Sequence, residues 1–156
     1  MYCLINYRYL MKSNLNSKTL ILDTICLLFS LLFIYAAASK LLDFEKFRIQ
    51  LGQSPVLSDF ASWISIAVPV SEFIIAFVLL HKVYRLIGLY AAYMLMIMFT
   101  AYIYLILNFS AFVPCSCGGI LEKMTWEQHL FFNICFVILA IIGIILAPQK
   151  SILNNQ

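Results

Sequence analysis

The stretch YRLIGLYAAYMLMIMFTAYIYLILN, residues 84–108, carries no charge after Arg85. It is apolar on every side at the helical period, so it cannot hide one face in a core and wet the other. Its length is enough to cross the ~30 Å hydrocarbon layer, which takes about 20 helical residues. A barrel strand would instead alternate apolar and polar residues over ~10-residue segments. Three further runs, at about 19–38, 60–81 and 128–147, have the same character.

The whole chain agrees with that reading. Of its 156 residues, 64% are hydrophobic and 11% charged, where a soluble domain carries about half and a quarter. Mean hydropathy is +0.98, more apolar side chain than one core of this size can enclose. The expected fold is all-α, an integral membrane four-helix bundle in a lipid bilayer. The net charge of +3 is small and dispersed, with no basic cluster and interleaved aromatics of the kind that binds nucleic acid.

The first run follows Arg8, Lys12 and Lys18 and ends near AAAS at 36–39, which resembles a signal peptide. A signal h-region is about 7–15 residues; this run is longer and reads as an anchor. With four crossings, Arg8, Lys12, Lys18, Lys82, Arg85 and Lys150 share one side, and Lys40, Lys46, Arg48 and Lys123 the other. The basic excess places both termini in the cytoplasm. The connection between the third and fourth runs then lies outside, in the bacterial periplasm, where disulfides persist.

Residues 1–18 read as a frayed cytoplasmic leader, 19–147 as the membrane domain and 148–156 as a cytoplasmic tail. Between the first two runs, SKLLDFEKFRIQLGQSPVLSD (39–59) reads as an amphipathic interfacial helix ending near Gly52, with a Ser54-Pro55 turn after it. Only Lys82-Val83 joins the second and third runs, which must form an antiparallel hairpin. Each crossing has a stripe of small or polar residues suited to close helix packing. These are Asp23, Cys26, Ser30 and Ala37; Ser62, Ser65, Pro69, Glu72 and Ala76; Tyr93, Thr100, Tyr104 and Asn108; His129, Asn133, Ala140 and Gly143.

Two features go beyond packing. Cys115 and Cys117 sit in PCSCGG, residues 114–119. Two extended residues span at most ~7 Å, at the edge of the ~4.4–6.8 Å between disulfide-linked α-carbons. A local bond there would be strained and easily reduced. Gly118 and Gly119 turn the chain at once and let another protein approach. The pair alone fits a redox couple, a structural staple, or half of a zinc site needing two more ligands. After it, Thr125 and Gln128 fit a capping box, and Glu127 lies where a helix dipole favours an anion. His129 and Asn133 follow one turn apart on one face. His129 is either a polar anchor at the interface or a proton partner for a nearby thiolate. Trp126 is an interfacial anchor.

The second feature is Glu72, midway along its crossing and three residues past the helix-loosening Pro69. An ionisable group at that depth marks a pathway or site by default; the packing alternative is a hydrogen bond, with Tyr93 across the hairpin as partner. Asp23, near the cytoplasmic end, can reach water and reads as structural. Met94, Met96 and Met98 point around their helix and fit packing or lipid better than copper. Cys26 and Cys135 read as buried small hydrophobes, and Cys3 as a reduced cytosolic thiol.

SKLLDFEKFRIQLGQSPVL (39–57), VPVSEFIIA (68–76) and PCSCGGILEKMTWEQHLFFN (114–133) together resemble the MauE/DoxX group of redox-associated membrane proteins. The likeness covers about residues 19–147, and the block from CSCGG to HLFFN is its most specific part. It implies a four-crossing inner-membrane protein. In MauE, a Cys-x-Cys pair in the corresponding loop is thought to help mature a disulfide-rich subunit of methylamine dehydrogenase, beside a thioredoxin-like partner. Carried over, this makes Cys115 and Cys117 the thiol pair, with Ser116 where MauE-type sequences can carry proline. His129 would then help form the thiolate and Glu72 would handle protons, with a quinone as candidate cofactor. Two other readings stand beside this one: a non-catalytic assembly factor whose cysteines are a staple, and a small transporter or metal-handling protein built around Glu72.

Overall fold

The computed structural model describes residues 2–53, 58–109 and 125–147, and side chains among these except at 2–16 and 109. The described chain is helical, with no strand among those residues: α1 (Tyr2–Leu42), α2 (Phe44–Gly52), a short 3-10 turn (Ser58–Phe60), α3 (Ala61–Leu80), α4 (Arg85–Phe109) and α5 (Trp126–Leu146). Four segments are long and apolar enough to cross a membrane: Ser17–Leu42, Ser58–Leu80, Arg85–Asn108 and Trp126–Leu146. They match the expected runs within a turn. The leader departs from expectation, because α1 begins at Tyr2 rather than after a frayed tail.

The spans pack in a ring, α1 against α3 and α5, and α4 against α3 and α5. The ends of α1 and α4 and the starts of α3 and α5 therefore lie together, here called the loop end. The opposite, hairpin end holds the α3–α4 joint, residues 81–84, closed by Tyr84 N–H donating to the His81 carbonyl at 3.0 Å.

Small and polar residues make close approach possible. Ser30 Oγ reaches both its own helix, at Cys26 O (2.8 Å), and Ala76 O of α3 (3.1 Å). In lipid such a bond joins helices that hydrophobicity alone does not drive together. Phe29, Phe132 and Phe136 form the α1–α5 seam, with Phe29 and Phe136 edge-to-face at 5.3 Å. Three of the four expected stripes face inward for most of their length. On α4 the inner face is instead Leu89, Ala92, Leu95, Met96, Ile103 and Ile106, while Tyr104 and Asn108 point outward. Asn108 satisfies its amide on its own helix, at the Tyr104 carbonyl, so it needs no neighbour.

Gly143 is where α5 meets α4 and α1. A Cβ there would lie 3.0 Å from Leu89 Cδ2 and 3.2 Å from Ile25 Cγ2. Gly143→Val should therefore lower stability by about 1–3 kcal/mol through overpacking, read as a lower unfolding temperature in detergent.

The α2 helix has the amphipathic pattern read from 39–59. Phe47 and Leu51 are buried with Ala61 and the flank of Ile64, while Leu42 and Ile49 stay exposed. Its charged residues Glu45 and Arg48 pair at 3.7 Å on the open side. The apolar face thus closes over the start of α3.

Candidate functional site

Glu72 is 0% exposed, held inside the bundle by α3. Its partner is not Tyr93 but Lys40 of α1, whose Nζ donates to Oε1 at 2.6 Å. The side chain of Lys40 is 16% exposed. Its position explains the geometry. Helical side chains lean toward the N-terminus of their helix, so a long chain two residues before the end of α1 reaches down into the bundle. There it also donates to the Ala36 carbonyl at 3.4 Å. Lys40, one of the basic residues counted on the loop side of the membrane, thus turns its charge into the bundle.

The ion pair is walled by rings. Phe47 of α2 and Phe99 of α4 have centroids 5.9 and 5.5 Å from the ammonium. Glu72 lies one turn beyond Pro69, which has no N–H to return to the buried turn at Ser65. The second carboxylate oxygen, Oε2, is buried with no hydrogen-bond partner.

The same end of the bundle carries the start of α5. Thr125 and Gln128 form the expected capping box, with Gln128 N–H donating to Thr125 Oγ1 at 3.3 Å and Thr125 N–H to Gln128 Oε1 at 3.1 Å. Thr125→Ala should destabilise the chain by about 1 kcal/mol, measurable by unfolding in detergent. His129, half-buried, stands one turn into this helix with its ring 6.5 Å from that of Trp126. Asn133 follows on the same face, 3% exposed, its Nδ2 without a partner. Cys115 and Cys117 lie outside the described residues, in the connection between α4 and α5. Because α4 ends and α5 begins at the loop end, that connection is tethered to the end where Lys40, His129 and α2 lie.

A family model described as methylamine utilisation protein MauE matches residues 18–146. The chain belongs to the MauE family. No curated protein and no solved structure matches it. For a MauE-family chain, four apolar spans make a multi-pass membrane protein.

Other expectations sort by burial. Cys26 is buried as expected, but Cys135 is exposed; it lies beside Glu127, Gln128, Phe131 and Phe132 in an apolar groove along α5. Met96 is buried while Met94 and Met98 are exposed, so the methionines do not converge. At the hairpin end Asp23 pairs with Arg85 of α4, a partner the sequence reading left out. Both missed cations, Lys40 and Arg85, sit where a buried or half-buried acid needs a countercharge. Asking which basic residue could serve Glu72 would have found Lys40.

Proposed function

We propose that this MauE-family chain is a membrane thiol–disulfide exchange protein whose Cys115 and Cys117 cycle between dithiol and disulfide. Four features support the reading: the Cys-Ser-Cys-Gly-Gly sequence, its place in the connection between α4 and α5, His129 in the first turn of α5, and the buried Lys40–Glu72 pair. The single observation that carries it is Glu72. A fully buried carboxylate with one oxygen on an ammonium and the other unpartnered is costly as mere scaffold, and suits a group that exchanges a proton.

In the step proposed, one cysteine loses its proton to His129 and attacks a sulfur of the partner's disulfide as thiolate. A mixed disulfide forms, and the partner's other sulfur leaves and takes up a proton. The second cysteine then displaces the partner, which departs as a dithiol while this chain keeps the disulfide. The reverse sequence oxidises a partner, and atoms and electrons balance in both directions. The partner is an exported protein, thioredoxin-like or rich in disulfides, docking on the glycine turn. The loop faces the periplasm and both termini the cytoplasm of a bacterial inner membrane, where α2 lies along the outer surface. The family label points to methylamine utilisation, and maturation of a disulfide-rich subunit would be that task.

The countercharge on Glu72 favours exchange over a transporter or metal site at that residue, since Lys40 already offsets the negative charge a cation would need. Trapping tests the proposal. Cys115→Ser and Cys117→Ser, each expressed alone, should leave one variant covalently joined to an exported protein by a bond that reductant breaks. If neither variant captures a partner, and the double serine variant still supports maturation of the client, the cysteines are a staple and the exchange reading fails.

A further inference from the structure

A lysine near the end of a membrane span normally extends outward to water. Lys40 turns the other way. Its ammonium sits between Ala36 O, Glu72 Oε1 and the rings of Phe47 and Phe99. The other carboxylate oxygen, Glu72 Oε2, is buried with no hydrogen-bond partner among the described residues. Folded proteins leave few such atoms, and those they leave call for a reason.

The geometry points to a proton-holding site formed by Lys40 and Glu72, in which Lys40 is the positioning residue: it occupies Oε1 of Glu72 and leaves Oε2 to take and release the proton. This rests on the exchange reading above and assigns Lys40 a part in it. A carboxyl with no countercharge at such depth is confined to its neutral form, and one held on both oxygens to its charged form. An ammonium on one oxygen leaves both forms accessible. Lysine does this and arginine does not, because the guanidinium fork takes both oxygens of a carboxylate.

Four helices contribute. Lys40 comes from α1 and Glu72 from α3; α2 and α4 supply Phe47 and Phe99, while Glu45 and Arg48 of α2 face away and pair together. In the exchange proposed above, Glu72 Oε2 takes up the proton released by the attacking sulfur, which keeps the electron pair, and gives a proton back to the leaving sulfur.

The test is pH-jump infrared difference spectroscopy on the full chain in lipid vesicles, with exchange against a small aromatic disulfide followed on the same samples. The wild type should show a titrating carboxyl band that Glu72→Gln removes. Lys40→Arg keeps the charge and should keep the fold, yet the band should disappear, or its midpoint move by a change in proton affinity of about tenfold or more. Lys40→Met should alter it likewise, and Lys40→Arg keeps the test open if the methionine variant does not fold. A wild type without the band, or a Lys40→Arg band that titrates as in wild type, overturns the inference. A Lys40-dependent band in a chain whose cysteines do not exchange supports the proton site and removes the exchange reading instead.

Discussion

Lys40→Met is expected to destabilise the folded chain by about 3–5 kcal/mol at a pH where the exposed carboxyl of the unfolded chain is ionised, the cost of making Glu72 take up a proton or stay charged without its partner. Glu72 cannot escape. It is 0% exposed at the middle of α3, its short side chain has no route to water, and its hydrogen-bond partner among the described residues is the Lys40 ammonium. Glu72→Gln should cost less than Lys40→Met, because Lys40 has a long flexible stem near the end of α1 and can swing its charge outward. The double variant Lys40→Met with Glu72→Gln should recover most of the loss, since it buries no charge. Unfolding of the four proteins in one detergent, read as a double-mutant cycle, measures this. A double variant whose cost is the sum of the two single costs would mean the pair does not bear on stability, and equal single costs would mean Lys40 does not swing outward. The pair at the hairpin end is a control. Asp23 is 39% exposed, so Asp23→Asn should cost only about 0–1 kcal/mol.

This contrast explains what the sequence made legible. Apolar length and the absence of alternation set the four crossings, because a helix in lipid must satisfy its own backbone and needs a fixed number of residues to do so. Thr125 with Gln128 announced the start of α5 because a capping box is local, contained within four residues. Local rules did not extend to partners. Lys40 and Glu72 are far apart in the chain, and Lys40 stands in an amphipathic stretch where every charge looks solvated. Only the ring order of the helices, α1 beside α3, brings the two together. The outward turn of Tyr104 and Asn108 had a similar cause. Polar residues were assigned to the bundle interior, but an asparagine that donates to its own helix costs little at an exposed position, and the inner face of α4 went to Ala92, Met96 and their neighbours.

With the cysteines replaced singly and together, the reduced chain should lose formation of the unlabelled internal disulfide completely in the double variant Cys115→Ser/Cys117→Ser. Cys26→Ala and Cys135→Ser should retain it within about twofold. The reason is proximity. When the reduced pair meets a small aromatic disulfide, the first cysteine to react forms a mixed disulfide, and its neighbour two residues away displaces the aryl group before any outside thiol can. The product has lost two hydrogens and carries no aryl label. A single variant has no neighbour to complete the step, so Cys115→Ser and Cys117→Ser should each keep the label on the remaining sulfur. Cys26 is buried in the α1 core, and Cys135 has no second cysteine within two residues along α5, so neither has a neighbour of this kind in sequence. Mass spectrometry of the labelled peptides separates the outcomes. Retained aryl groups on both cysteines of the wild type would show that the pair does not close locally. The Cys-Ser-Cys turn would then be two independent thiols, and the partner would have to bring the resolving sulfur itself.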